Sequence, residues 1–195
     1  PLQAATVRFC GDSGDGMQLA GTQLSNTSAL VGNDIATFPD FPAEIRAPRG
    51  TKAGVSGFQI HFASREIFTP GDRLDAFVCM NAAALVTNLD DLAPGGILIV
   101  DNDGFGKRDL DLAGCKSDPL LDDRLSRYQV FKVEMTKLTR LAVKETGLST
   151  KDADRCRNFF AMGLVFWLYD RPLEPTERFI LDKFGRRPTL AEANR

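Results

Sequence analysis

The chain has 195 residues, 24 Lys plus Arg against 26 Asp plus Glu, and 43% apolar residues, enough to bury one core without a disulfide or metal staple. A net charge of −2 supplies no basic surface for neutralising phosphates, which excludes DNA and RNA as expected partners. Cys10, Cys79, Cys115 and Cys156 form no Cys-x-x-Cys pair, so a zinc site or iron–sulfur cluster is not expected on this chain, and His61 is its one histidine. No apolar run approaches the roughly 18 residues of a membrane span and no signal-like start is present, so a cytoplasmic setting with reduced thiols and no membrane contact is expected.

Ala5 to Cys10 reads as a short strand, Gly11-Asp-Ser-Gly-Asp-Gly16 as a turn, and the following segment as a helix whose Met17, Ala20, Gly21, Leu24, Ser28 and Val31 share one face. Gly32-Asn33 stops that helix and Ile35 to Phe38 restarts as a buried strand, a βαβ-like unit that implies a mainly parallel sheet. From Pro39 to Gly54 three prolines, Arg46, Arg49 and Lys52 mark a long ordered loop. Val55 to Ala63 alternates, with Phe58, Ile60 and Phe62 on one face and Gln59 and His61 on the other, which predicts a strand buried on one face. Glu66-Ile-Phe68 is expected to be its hairpin partner, which would make the sheet mixed.

Ala76 to Met80 has the continuous apolar character of a central strand, and Asn81 is placed to cap a helix from Ala82 to Leu89. Pro94-Gly95-Gly96 turns into a strand at Ile97 to Val100; a polar stretch with a short helix near Arg108 to Leu112 leads to a further strand, Gln129 to Val133. Thr136 to Thr146 is expected to be helical and to end at Gly147, with Ser149 and Asp152 as the cap signal for a long apolar helix reaching Leu168. Pro175 opens a helix through Phe184 that Gly185 closes, and Thr189 starts another. Taken together the pattern predicts a three-layer α/β/α domain over 1–185, with 186–195 as the start of a linker or helix toward a further domain.

A strand, glycine turn and helix in series aim free backbone N–H groups and the positive helix end at one point, a seat for phosphate. Gly14 and Gly16 allow close backbone approach, but the order G-x-x-G-x-G is not the dinucleotide order G-x-G-x-x-G, and Asp12 and Asp15 oppose a bound pyrophosphate. No G-K-[ST] follows, so a P-loop is excluded. The glycines alone are equally compatible with a tight turn for helix packing. Arg46, Arg49 and Lys52, on the loop after the second strand, are expected to face the turn; Arg46 could grip a phosphate or pair with Glu44.

Three stretches then carry a likeness: Gly11-Asp-Ser-Gly-Asp-Gly-Met-Gln-Leu-Ala-Gly21, Phe38-Pro-Asp-Phe-Pro-Ala-Glu-Ile-Arg46 and Asn158-Phe-Phe-Ala-Met-Gly163. The chain resembles, over essentially its whole length, the γ domain of 2-oxoacid:ferredoxin oxidoreductases, most of all the N-terminal γ-type part of the large subunit of the 2-oxoglutarate class. Gly11, Gly14 and Gly16 match the family loop, with Ser13 and Asp15 replacing a glycine and a glutamine. Glu44 and Arg46 match its later motif, with Phe41, Pro42 and Ala43 in place of Tyr-Gly-Pro.

The resemblance implies an enzyme that decarboxylates a 2-oxoacid on thiamine diphosphate, passes electrons through iron–sulfur clusters to ferredoxin, and transfers the acyl group to coenzyme A. Thiamine diphosphate, Mg2+ and the clusters are expected on other domains or subunits, namely an α (thiamine-site) domain and a β subunit in an oligomer, leaving the isolated chain inactive. The part assigned to this chain is binding coenzyme A, with Gly11, Asp12, Ser13, Gly14, Asp15, Gly16, Met17, Glu44, Arg46, Arg49 and Lys52 as the expected site and no catalytic residue or metal. His61 is expected to be exposed or interfacial, and Cys10 and Cys79 buried and inert. Phe159, Phe160, Phe166 and Trp167 make the helix from Asn158 apolar on more than one face. Two other readings are a Rossmann-like NAD or flavin oxidoreductase, with Asp40 as the ribose acid, and a docking scaffold that binds no ligand.

Overall fold

Ala4–Asp12 (β1) is covered on both faces near the middle of a six-stranded sheet, Ala5, Val7 and Phe9 on one side and Thr6, Arg8, Cys10 and Asp12 on the other. The computed structural model describes residues 3–44 and 46–195. The remaining strands are β2 (Asp34–Asp40), β3 (Val55–Ala63), β4 (Leu74–Cys79), β5 (Leu92–Asp101) and β6 (Gln129–Val133), in the spatial order β2-β3-β1-β4-β5-β6. The pairs β1–β4, β4–β5 and β5–β6 are parallel, whereas β3 runs antiparallel to both β1 and β2.

The sheet is therefore mixed, but for a different reason from the expected hairpin. Glu66 to Phe68 forms no strand, because both edges of β3 are already taken by β1 and β2; the Ile67 N–H donates instead to Asp34 Oδ2 at 2.9 Å. The same placement buries β3 on both faces rather than one. Gln59, expected on a wet face, is 3% exposed; it accepts from Arg8 Nε at 3.0 Å and donates to the carbonyls of Pro70 and Gly71. His61 is half-buried, its Nδ1 2.9 Å from the Thr69 carbonyl. Conversely β2, expected to be buried, is the edge strand and leaves Phe38 51% exposed.

Helices cover both faces of the sheet, giving three layers. On one face α1 (Met17–Leu30), α4 (Met135–Ala142), α6 (Arg157–Leu168), α7 (Glu174–Phe184) and α8 (Pro188–Asn194) contribute to one core; on the other α2 (Ala82–Asn88) and α3 (Lys107–Leu112) close a second. Gly21 lets α1 approach the sheet, since a Cβ there would overlap the Phe58 ring of β3. Asn81 caps α2 as expected, accepting from the Ala84 N–H at 2.9 Å. The predicted Thr136–Thr146 helix ends at Ala142, and a single 3-10 turn carries the chain to Gly147, at φ 72°. The predicted long apolar helix is two: Ser149 caps α5 (Thr150–Arg155), the chain breaks at Cys156, and α6 follows.

In α6 Phe159 and Phe166 are buried while Trp167 is 83% exposed, so its apolar character does extend past its own sheet. Pro94 to Gly96 lies inside β5 rather than before it, where the pairing with β4 changes register between Leu74 and Ala76. Gly185 closes α7 in right-handed backbone, and Ala191 of α8 packs into the same core as α1. Among the described residues no helix is long and apolar enough to cross a membrane.

Candidate functional site

Neighbouring parallel strands β1 and β4 are followed by helices on opposite faces, α1 on one and α2 on the other. The connections diverge at the C-terminal ends of the strands and open a crevice, the usual location of ligand sites in open α/β sheets. This crevice has a volume of about 440 Å³ and is lined by Asp12, Asp15, Asn81, Gly104, Thr136 and Arg157, among others.

The turn after β1 spends its inner amides within the fold, one on a carboxylate and two on main-chain carbonyls. Gly11 has no side chain where a Cβ would come within 2.9 Å of Asp15 Oδ2 and 3.0 Å of Met80 Cβ, so Asp15 folds back over it. Asp15 Oδ2 then accepts the Asp12 N–H at 3.1 Å, the Ser13 N–H donates to the Gly54 carbonyl at 3.2 Å, and the Asp15 N–H to the Asp12 carbonyl at 2.9 Å. The loop after β2 closes on the same acids. Asp12 Oδ1 accepts the Gly50 N–H at 2.8 Å, and Arg49 reaches Asp12 at 3.4 Å and Asp15 at 2.6 Å. The two stretches that the sequence analysis brings together are thus adjacent, with the inner side of the turn filled by carboxylate.

From α6, Arg157 completes the arrangement, 2.8 Å from Asp15 Oδ1 and 3.3 Å from Asp101 Oδ2. Asp101, at the end of β5, is fully buried and also accepts from the Met135 N–H at 3.0 Å and the Thr136 hydroxyl at 2.9 Å. Burial pushes the Asp101 carboxyl above the usual carboxylate range, against the pull of Arg157 and Thr136. Burial likewise raises Asp12, opposed by the Gly50 N–H and Arg49 and reinforced by the charge of Asp15. The chain Asp12, Arg49, Asp15, Arg157, Asp101 ties the ends of β1 and β5 to α6 and is a structural clamp.

The outer side of the same turn is different. Gly16 sits at φ 77°, the left-handed region glycine tolerates, and α1 begins with neither a side-chain cap nor an acidic residue in its first turn. Against Gly16 lies Asn158, 5% exposed, whose Oδ1 has no hydrogen-bond partner. A buried amide oxygen without a partner is unfavourable by about 1–3 kcal/mol unless something reaches it. Arg187, Arg155 and Asp152, the last two paired at 3.2 Å, line the same hollow of about 270 Å³, beside Gly14 and Gly16. An uncapped helix end and the Arg187 guanidinium are a chemistry for phosphate, and the orphaned amide oxygen adds an acceptor for a ligand N–H or O–H.

Of the residues singled out in the sequence, Gly11, Asp12, Ser13, Gly14, Asp15, Gly16, Met17 and Arg49 come together at the turn. Met17 is buried beneath it. Glu44, Arg46 and Lys52 are exposed on the loop, which the Glu44 N–H pins to the Ala53 carbonyl at 3.2 Å; Ile45, inside the quoted motif, lies outside the described residues. Asp40, at the end of the edge strand, is separated from β1 by β3, one strand further than a ribose acid next to the first strand would be. Asp101, Thr136 and Arg157 are missed by sequence reasoning, since they lie far from the turn in the chain. The available signal was Arg157-Asn158, a charged and an amide side chain opening an otherwise apolar helix.

Comparison with known proteins agrees with this architecture. The chain is 52% identical over 193 residues to the 2-oxoglutarate oxidoreductase subunit KorA of Mycobacterium tuberculosis, covering 99% of this chain and 30% of that protein. It thus spans less than a third of the curated relative it matches. Its fold superposes on the 2-oxoglutarate:ferredoxin oxidoreductase of Magnetococcus marinus, solved with 2-oxoglutarate, coenzyme A and succinyl-CoA bound, with a TM-score of 0.73 at 23% identity, covering 100% of this chain and 30% of that one. It also matches the γ subunit of a keto/oxoacid ferredoxin oxidoreductase from Geobacter sulfurreducens, with a TM-score of 0.61 at 19% identity over 97% of this chain and 94% of that one. Residues 6–195 match the model of the Pyruvate ferredoxin/flavodoxin oxidoreductase family, and the chain belongs to that family.

Proposed function

We propose that this chain is the γ domain of a 2-oxoacid:ferredoxin oxidoreductase, with 2-oxoglutarate as the substrate of the whole enzyme, and that its task is to bind coenzyme A and position it for acyl transfer. The observation that carries the reading is the 52% identity to KorA along 99% of the chain. Thiamine diphosphate, Mg2+ and iron–sulfur clusters belong, on this reading, to other domains and subunits, an α domain and a β subunit in a cytoplasmic oligomer that reduces ferredoxin. Thiamine diphosphate supplies the decarboxylation chemistry there. The γ-type domain takes in 1–185 and also α8, whose Ala191 packs into its core, and the α domain would lie beyond it.

The chain's own residues supply a hold on a phosphorylated acyl carrier. Gly14, Gly16 and Met17 present the open end of α1, the amide of Asn158 offers an acceptor or, turned over, a donor, and Arg46 and Lys52 add exposed cations. Gly11, Asp12, Ser13, Asp15, Glu44 and Arg49 hold the turn and the loop in register. The uncapped helix end offers N–H donors to a phosphate, and the orphaned Asn158 oxygen, an acceptor, would take an N–H or O–H of the same ligand. Fixing the thiol relative to an acyl group makes their encounter effectively intramolecular, which can contribute roughly 7–11 kcal/mol in good geometry.

Calorimetric titration of coenzyme A into the assembled full-length enzyme tests this. Binding is expected to weaken with added salt and to fall several-fold in Arg46→Ala. Binding indifferent to both salt and Arg46→Ala removes the assignment.

A further inference from the structure

The two edges of the sheet are protected unequally. β2 carries Pro39 inside the strand and an aspartate at each end, Asp34 and Asp40, devices that keep a sheet edge from pairing further. β6 has neither proline nor acid. Its one charged side chain, Lys132, is drawn back onto its own chain, Nζ donating to the Leu120 carbonyl at 3.1 Å. Among the described residues β6 pairs with β5 alone, and no other main-chain group bonds to it. One row of its N–H and C=O groups is therefore open to a further strand. Beside this edge, on the α6 face, a hollow of about 130 Å³ is lined by apolar side chains alone, among them Phe131 and Val133 of β6 and Leu164 and Trp167 of α6. Phe131 is 53% exposed and Trp167 more so.

We propose that β6 is an interface between two copies of this chain, which pair antiparallel across it and join their sheets into one. The strand is complementary to itself. Opposed side chains of an antiparallel pair share a face, so a two-fold axis normal to the sheet has to set one residue opposite its own copy. Centred on Phe131, the pairing engages all five residues of the strand, Gln129 against Val133 and Val130 against Lys132, and opposes no like charges. Centred on Lys132, it would set two ammonium groups face to face. An axis normal to the sheet also leaves both copies of α6 on one side of it, so that Phe131 and Trp167 of each copy flank the seam and lose their exposure to water. The interface stands apart from the coenzyme A reading, since β4 and β5 separate β6 from the strand that carries the glycine turn.

Cross-linking in the assembled full-length enzyme with a short rigid bismaleimide tests this, with wild type as the control for the native thiols. Phe131→Cys is expected to convert the bulk of the chain to a covalent dimer on a denaturing gel. Gln129→Cys or Val133→Cys alone should give no dimer above wild type, because each lies about 13 Å along the strands from its own copy. The two co-expressed should give the dimer again. Absence of either expected product, an equal yield from Gln129→Cys alone, or capture of a different polypeptide of the enzyme at these positions overturns the proposal.

Discussion

The inner and outer sides of the six-residue turn after β1 share a backbone and differ in how their polar groups are satisfied. Inside, the Asp12 N–H is taken by Asp15, the Ser13 and Asp15 N–H groups by main-chain carbonyls, and the two acids are neutralised by Arg49, Arg157 and the Gly50 N–H. Outside, α1 starts without a cap, and Asn158 keeps an oxygen with no partner. A side whose charges are paired internally serves rigidity, because any ligand would have to displace the pairs it meets. A side with unmet hydrogen-bonding capacity carries a small standing cost that a ligand can relieve. The difference teaches that the acids in the turn are neutralised from within the fold, by Arg49, Arg157 and the Gly50 N–H, rather than left free to oppose an anion at the helix end.

The largest effect should come from cutting the inner side. Arg157→Met leaves the buried Asp101 carboxylate without its cation, while Asp15 keeps Arg49, and such an uncompensated buried charge typically costs about 3–5 kcal/mol. Urea unfolding should show the midpoint drop accordingly. A change below about 1 kcal/mol would mean that the clamp is ornamental. The outer side should behave in the opposite sense: Asn158→Leu removes a buried acceptor that has no partner, so stability is expected to hold or to rise by about 1 kcal/mol. The same variant should bind coenzyme A more weakly in the assembled enzyme, and a loss of stability without loss of affinity would erase the distinction between the two sides.

The smallest effect is a pH dependence on the inner side. Burial raises the folded-state carboxyl of Asp12, so between its ordinary value of about 4 and the raised value the folded chain holds more protons than the unfolded one. Its contribution to stability is therefore lost as pH rises through that window. Asp12→Asn, which resembles the protonated form, should match wild type at the acid end and gain on it as pH increases. Thermal midpoints of the two proteins across that range supply the measurement, and parallel curves would show that Asp12 titrates normally.

Much of this molecule is legible along the chain because its signals are local. The Asn81 cap, the strand at Gln129 to Val133 and the cap at Ser149 each depend on residues within a few positions, and each stands where local chemistry puts it. Burial is different. The alternation in Val55 to Ala63 reads as one wet face, but β3 lies between β1 and β2 and under helices on both sides, so Gln59 and Arg8 satisfy each other inside. Glu66 to Phe68 has a strand-like composition and no free edge to pair with. The glycine turn is recognisable by its spacing, while Arg157 and Asn158, which give its two sides their character, are more than 130 residues away in the chain.

Composition, local turns and caps, and the kinship carried by three short motifs follow from the order of residues alone, since each is decided by neighbours in the chain or by type. Which carboxylates are neutralised, which face of a strand is dry and which side of the turn stays open were settled only in three dimensions. Those properties depend on partners brought together by the sheet order and by the packing of α6 against the end of β1, and a buried charge or amide has no meaning until its surroundings exclude water.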